Sequence, residues 1–284
     1  MDAERDVEPE REPVVAGIAP AVWSRWRLRV PLHGLVALLT TMPLAWRMGD
    51  GVPIGREPVP VVPWFNLWSW SWTADTLPRS WARWWDAPIF WPHPGTYANS
   101  ELQPITGLVF GVLRWATTPT VAYALVLLGA LTLNGLAASV VAGRLGARVP
   151  AAVAAGVLAQ VVPFAFAQLG VVQLLMLWPV LFAVAGLVSW LARPTTRSAI
   201  EIGLSLGAAV LTCGYHATLF ASCVVLAAPV MVQRSWRHDW RRRVVTTVLA
   251  VGVAAAIAGV FVLAQQQRLG DLHWTDEAIT KRSD

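Results

Sequence analysis

Apolar positions along this chain fall into long, nearly continuous blocks, roughly 28–46, 119–142, 149–166, 170–192, 198–214, 216–234 and 244–264. Blocks of roughly 20 apolar residues are long enough to cross a hydrocarbon layer of about 30 Å as helices. A transmembrane β-barrel would instead show short segments of alternating polarity. The pattern therefore predicts an all-α, polytopic membrane protein of about seven transmembrane helices. Pro31, His33, Gly34 and Pro43 interrupt the first block. Such residues are tolerated in a span when neighbouring helices satisfy the freed carbonyls. Pro163 and Pro179 predict kinks in the third and fourth.

Between the first and second blocks, residues 47–118 read differently. In "FNLWSWSWTADTL" the order Phe65, Trp68, Trp72 follows one helical face, which predicts a helix lying on a surface. "LVFGVLRWA", 108–116, is too short to span and carries Arg114, so it reads as an amphipathic interfacial helix. "WDAPIFWPHPGTYANSEL", 85–102, is broken by Pro88, Pro92 and Pro94 and reads as a rigid irregular wall holding polar groups in place. The expected organisation is a disordered cytoplasmic tail over 1–22 and a first transmembrane helix over 23–46. An external loop with interfacial helices follows over 47–118, then a helix bundle over 119–264 and an external tail over 265–284.

Composition agrees with this division. The chain is 56% hydrophobic and 14% charged, with a mean hydropathy of +0.52, which excludes an ordinary soluble domain. A net charge of +5 and a pI near 10.0 would point a soluble protein towards nucleic acid. Here the arginines gather between apolar blocks with no groove-reading motif beside them, so nucleic acid is not an expected partner. Arg25, Arg27 and Arg29 precede the first block, Arg144 and Arg148 follow the second, Arg193 and Arg197 the fourth, and "RSWRHDWRRR" the sixth. The alternate turns, "AQLG" and "GYH", carry no Lys or Arg. The positive-inside rule then places the N-terminus in the cytoplasm and 47–118 outside, in a multi-pass protein of the inner (plasma) membrane. Cys213 and Cys223 show no metal or redox spacing and read as packed thiols.

Candidate chemistry concentrates in the external loop. Eight tryptophans fall between Trp64 and Trp91. They form either an interfacial belt or a platform for the apolar face of a sugar or a lipid tail. Asp50 follows directly on the first span, where a carboxylate can take a proton from an attacking hydroxyl or bind a divalent ion; an exposed helix-end Asp is the alternative. Glu57 stands beside Arg56. Asp86 and Glu101 bracket the proline-rich wall, with His93, Asn99 and Ser100 between them, and Tyr215 and His216 occupy a tight turn facing the same vestibule. Asn134, Gln160, Gln168 and Gln173 read first as interhelical glue. Walker A, HExxH and GxSxG signatures are absent from the sequence, so a lipid-borne substrate entering from the bilayer is favoured over a nucleotide.

The layout of a first helix, an acid just outside it, a long external loop and then a polytopic bundle resembles the GT-C membrane glycosyltransferases. The segments "VPWFNLWSWSW", "DAPIFWPHPGTYANSELQPITGL" and "LNGLAASVVAGRLGARVPAAVAAGVLAQVVPFAFAQLGVVQLL" are similar to uncharacterised bacterial multispanning relatives of those enzymes, over roughly residues 45–216. The resemblance implies transfer of a sugar from a polyprenyl-phosphate carrier to an extracytoplasmic acceptor. It implies Asp50, with Glu57 as substitute, as the base or acceptor-positioning acid. It implies Asn66, Trp68, Trp72, Asp86, Ser100 and Glu101 as the lining of the substrate entrance. Arg47, Arg56 and Arg114 are then the expected holders of the departing lipid phosphate. A divalent metal is compatible with this chemistry but not specified, and the oligomeric state is left open. Since related proteins run through further spans, the resemblance also implies that the chain is a truncated product or a short variant.

Overall fold

A computed structural model describes residues 19–54, 61–89, 93–231 and 236–271. Among these residues the structure is helical throughout, with no strand beyond an isolated bridge between Met48 and Gly51. The expected all-α polytopic architecture is therefore observed. Among the described residues five segments are long and apolar enough to cross a membrane: Pro119–Arg144, Val149–Ala167, Val172–Ala192, Gly214–Met231 and Asp239–Gly270.

The helix α1 (Ala19–Thr40) is followed after Thr41 by the single turn α2 (Met42–Trp46). Its apolar part, Leu28–Thr40, is shorter than the expected first span. Two helices of the loop region, α3 (Val61–Thr76) and the short α4 (Trp81–Trp85), lead through a 3-10 turn at Thr96–Asn99 into α5 (Pro104–Ala116). The long α6 (Pro119–Arg144) is the most deeply buried of the apolar helices. Short helical pieces follow, α7 (Val149–Gln160), α8 (Pro163–Ala167), α9 (Val172–Leu175) and α10 (Trp178–Ala192), and then α11 (Thr196–Thr212), α12 (Gly214–Met231) and α13 (Trp236–Asp271).

The third and fourth expected spans are thus each broken in two. Pro163 starts α8 and Pro179 sits in the first turn of α10, where a missing N–H costs nothing because helix starts lack partners anyway. The irregular stretch between them lies deep: Asn134, midway along α6, donates to the carbonyl of Leu175 at 2.6 Å. Non-helical backbone at that depth is tolerated only where protein or a polar cavity surrounds it.

Close packing at the α1–α6–α7 junction rests on two glycines. A Cβ at Gly135 would lie 2.5 Å from the Gln160 amide carbon, and one at Gly156 would lie 2.5 Å from the His33 ring. There the Gln160 side chain accepts from His33 Nδ1 at 2.8 Å and donates to the His33 carbonyl at 2.8 Å, joining α7 to α1 across fully buried surfaces. Of the α6 glycines Gly129, Gly135 and Gly143, only Gly135 is closely packed; a Cβ at either of the other two would meet nothing within 4 Å.

Polar contacts distinguish the two ends of the bundle. At one end Arg144 pairs with Glu201 at 2.7 Å, and Arg243 donates to the carbonyls of Trp190 and Leu191 at 3.5 and 3.4 Å while covering the Trp190 ring. At the other end the loop helices α3, α4 and α5 stack over the bundle. Trp70 stacks on Tyr123 near the start of α6 and touches Phe110 of α5, and Thr120 donates to the carbonyl of Gly49. The helix α13 has 36 residues, about 54 Å at the standard rise, and reaches from one end to the other.

Candidate functional site

The loop helices owe their arrangement to aromatic burial. Trp70, Trp84, Trp85 and Tyr97 are fully buried, so part of the tryptophan run is a core rather than a belt or an exposed platform. A buried indole N–H usually finds a partner, and Trp85 Nε1 is the exception in this cluster. Trp70 Nε1 donates to Gln103 at 3.0 Å, Trp84 Nε1 to Thr73 at 3.1 Å and Trp72 Nε1 to the Trp84 carbonyl at 2.9 Å. Trp68 and Trp72 stack on each other at 6.4 Å, and Phe65 lies 5.6 Å from Trp68 along the same helical face. The helices α3 and α5 approach closely because Gly107 and Gly111 face Thr73 and Ala74, leaving no space for a Cβ at either glycine.

This packing brings residues from four separate parts of the chain to one place. Trp70 donates to Gln103 Oε1, whose amide nitrogen makes a long contact, 3.5 Å, to Asn66 Oδ1. Asn66 Nδ2 donates in turn to Gln173 Oε1 at 3.0 Å and to the Gly170 carbonyl at 3.2 Å. The donors thus run from Trp70 through Gln103 and Asn66 to Gln173, and the carboxylate of Glu101 adjoins Gln173 and Tyr215.

Glu101 itself is half-buried. Burial pushes its carboxyl above the ordinary glutamate range, while the polar groups of the nearby Gln173 and Tyr215 act in the opposite direction. Its Oε2 atom and the neighbouring Ser100 Oγ are buried with no hydrogen-bond partner. Both residues line a partly open crevice of about 220 Å³ together with Phe65, Ile89 and Asn99. That volume lies below the roughly 300–1,000 Å³ of drug-sized ligand pockets. It suits a single sugar-sized group or a headgroup, with any lipid chain left outside.

The break between α11 and α12 closes one side of the cluster. Cys213 adopts an extended backbone there, and its carbonyl accepts from the backbone N–H of His216 at 3.2 Å. Of the residues expected at the vestibule, Ser100 and Glu101 line the crevice, Tyr215 adjoins Glu101, Asn66 lies behind it on Gln173, and Trp68 lies beside the lining Phe65 ring.

Other expected site residues lie elsewhere. Asp50 is largely exposed and faces Arg47 at 3.8 Å, on the turn beside the start of α6. Arg114 is held by Asp75 through both carboxylate oxygens and lies over the Phe110 ring. Asp86 is a structural cap, accepting from the Gly95 N–H at 2.8 Å, and His93 is exposed. Arg56 and Glu57 lie outside the described residues. Sequence reasoning missed Gln103, and it took Gln173 as glue. The only signal for either is a glutamine flanking an apolar helix, which carries no information until Asn66 is placed between them.

The described residues contain no group of three or more His, Cys, Asp and Glu side chains arranged to hold a metal ion. No family model, curated protein or solved structure matches the chain.

Proposed function

We propose that this protein is a GT-C-like membrane glycosyltransferase, or the N-terminal portion of one. In this reading it transfers a sugar from a polyprenyl-phosphate-linked donor to an acceptor at the extracytoplasmic face of the inner membrane, with its N-terminus in the cytoplasm. The observation that carries the reading is the half-buried carboxylate of Glu101, which lines a sugar-sized crevice with Oε2 and the adjoining Ser100 Oγ buried and unpartnered.

In the proposed reaction Glu101 takes the proton of the acceptor hydroxyl as that oxygen attacks the anomeric carbon. The bond from that carbon to the lipid phosphate breaks, and the phosphate leaves with the electron pair. A carboxylate raised towards neutrality serves as a better base than one with an ordinary pKa. Phe65 and Trp68 supply apolar ring faces for the sugar. Asp50, the acid implied by the family resemblance, becomes the alternative base.

Transfer is tested by comparing envelope glycans by mass spectrometry in cells making the wild type, Glu101→Gln or Asp50→Asn at equal abundance. The proposal expects Glu101→Gln to lower transfer roughly 10²–10⁴-fold, the usual worth of a general base. It expects Asp50→Asn to retain most of it. The reverse result would move the base to Asp50, and no change in either variant would remove the enzymatic reading.

A second reading, a non-catalytic protein that binds or moves a lipid-linked glycan, draws support from the engagement of Arg47 and Arg114 by Asp50 and Asp75. Arg114, held by both Asp75 oxygens, is then occupied, and the exposed Arg47 stands beside Asp50 as a loose pair. On this reading Trp68→Ala abolishes function while Glu101→Gln preserves it.

A further inference from the structure

The last turns of α13 pass the polar part of the chain, "AQQQRLGD", which hydropathy alone assigns to a tail beyond the seventh span. In the structure they stay helical and lie against the wall of the crevice. Gln265 Nε2 donates to the carbonyl of Ala98 at 2.9 Å, one residue from Asn99 and two from Ser100. The Arg268 guanidinium covers the Trp85 ring at 5.5 Å and stands 3.9 Å from Asp86 Oδ1. Its aliphatic stem lies along Gly95, whose φ of +73° is the left-handed conformation that favours glycine. One turn earlier, Phe261 meets the edges of Trp81 and Trp84.

The segment so gripped carries the crevice lining. Asp86 Oδ1, which Arg268 faces, accepts from the Gly95 N–H, and Thr96 Oγ1 ties Gly95's neighbour to the carbonyl of Ile89. Ile89, Asn99 and Ser100 are all lining residues. The geometry points to a positioning role for Gln265 and Arg268: through Ala98, Asp86 and Gly95 they fix the wall that sets the opening of the crevice beside Glu101. This rests on the crevice being the functional site, but it does not depend on the reaction performed there.

The test uses the purified full-length chain in detergent, with Cys213→Ala and Cys223→Ser removing native thiols and Ser100→Cys added as reporter. A maleimide measures its labelling rate, and Leu145→Cys, at an exposed turn on the opposite end of the bundle, serves as control. Gln265→Glu is close to isosteric but has no proton to donate to Ala98. This change and Arg268→Ala are each expected to raise labelling at position 100 roughly tenfold, the population change set by one net hydrogen bond, while position 145 is unchanged.

Equal rates at position 100 in folded, monodisperse Gln265→Glu protein would overturn the role. Equal acceleration at both positions would also overturn it, since general loosening would explain the result. Glycan transfer measured on the same variants, with the native Ser100 and both cysteines restored, separates the two ideas. Faster labelling with unaltered cellular function leaves the brace intact and counts against the crevice as the site.

Discussion

At the scale of single residues, Glu101 is the most informative group. Its carboxyl is raised by burial, so folding favours its protonated form more than the unfolded chain does. Stability from that preference is fully present below the unfolded glutamate pKa and is lost as pH rises through the higher folded value. Glu101→Gln, neutral at every pH, is therefore expected to melt at a higher temperature than wild type at neutral pH, with the difference vanishing in acid. Thermal melts of the detergent-solubilised protein across pH check this. A constant difference would show that the carboxyl is not perturbed by the site. The wild-type activity, which needs the ionised base, is expected to rise with pH through a midpoint above the ordinary carboxylate range, and this limb is expected to vanish in Glu101→Gln.

Ser100, Glu101 and Tyr215 are legible in the sequence because they are polar groups in or beside irregular segments that separate apolar helices, whereas Asn66, inside α3, is singled out only by the family resemblance. Gln103 is not legible, since its value comes from Asn66, distant by 37 positions in the chain. Nor does the sequence decide which tryptophans are buried. An indole is suited equally to an interface and to a core, and only tertiary contacts send Trp84 and Trp85 inward while leaving Trp64 exposed.

At the scale of elements, hydropathy finds where helices run but not where they break or end. The first block stops short at Thr41, and the third and fourth divide at prolines that occupy helix starts. The helix α13 continues past its apolar part because Gln and Arg are good helix formers even where hydropathy falls. Glycine provides the clearest test of element packing. Gly156→Ala places a methyl against His33 and is expected to destabilise by about 1–3 kcal/mol, the cost of overpacking. Gly129→Ala, with open space around it, is expected to be neutral or stabilising by up to about 1 kcal/mol. Size-exclusion analysis after heating ranks the two; equal behaviour would mean that the α1–α6–α7 junction is looser than described.

At the scale of the whole molecule, the alternation of arginine clusters with uncharged turns and the stacking of loop helices at one end make a single arrangement. Arg144, Glu201 and Arg243 mark one end of the bundle, and Glu101, Tyr215 and the last turn of α13 mark the other. The helix α5 exposes Leu108, Val109, Val112 and Trp115 along one face while burying Thr106, Gly107 and Phe110 on the other, as expected of a helix seated at a membrane surface. The proposed function requires that the loop-helix end, with its crevice, face away from the cytoplasm. The direct measurement is labelling of intact cells with a membrane-impermeant maleimide, using Ser100→Cys and Leu145→Cys in separate cysteine-free backgrounds. The account predicts reaction at position 100 and protection at position 145 until the membrane is opened; labelling at 145 with protection at 100 in sealed cells would contradict it.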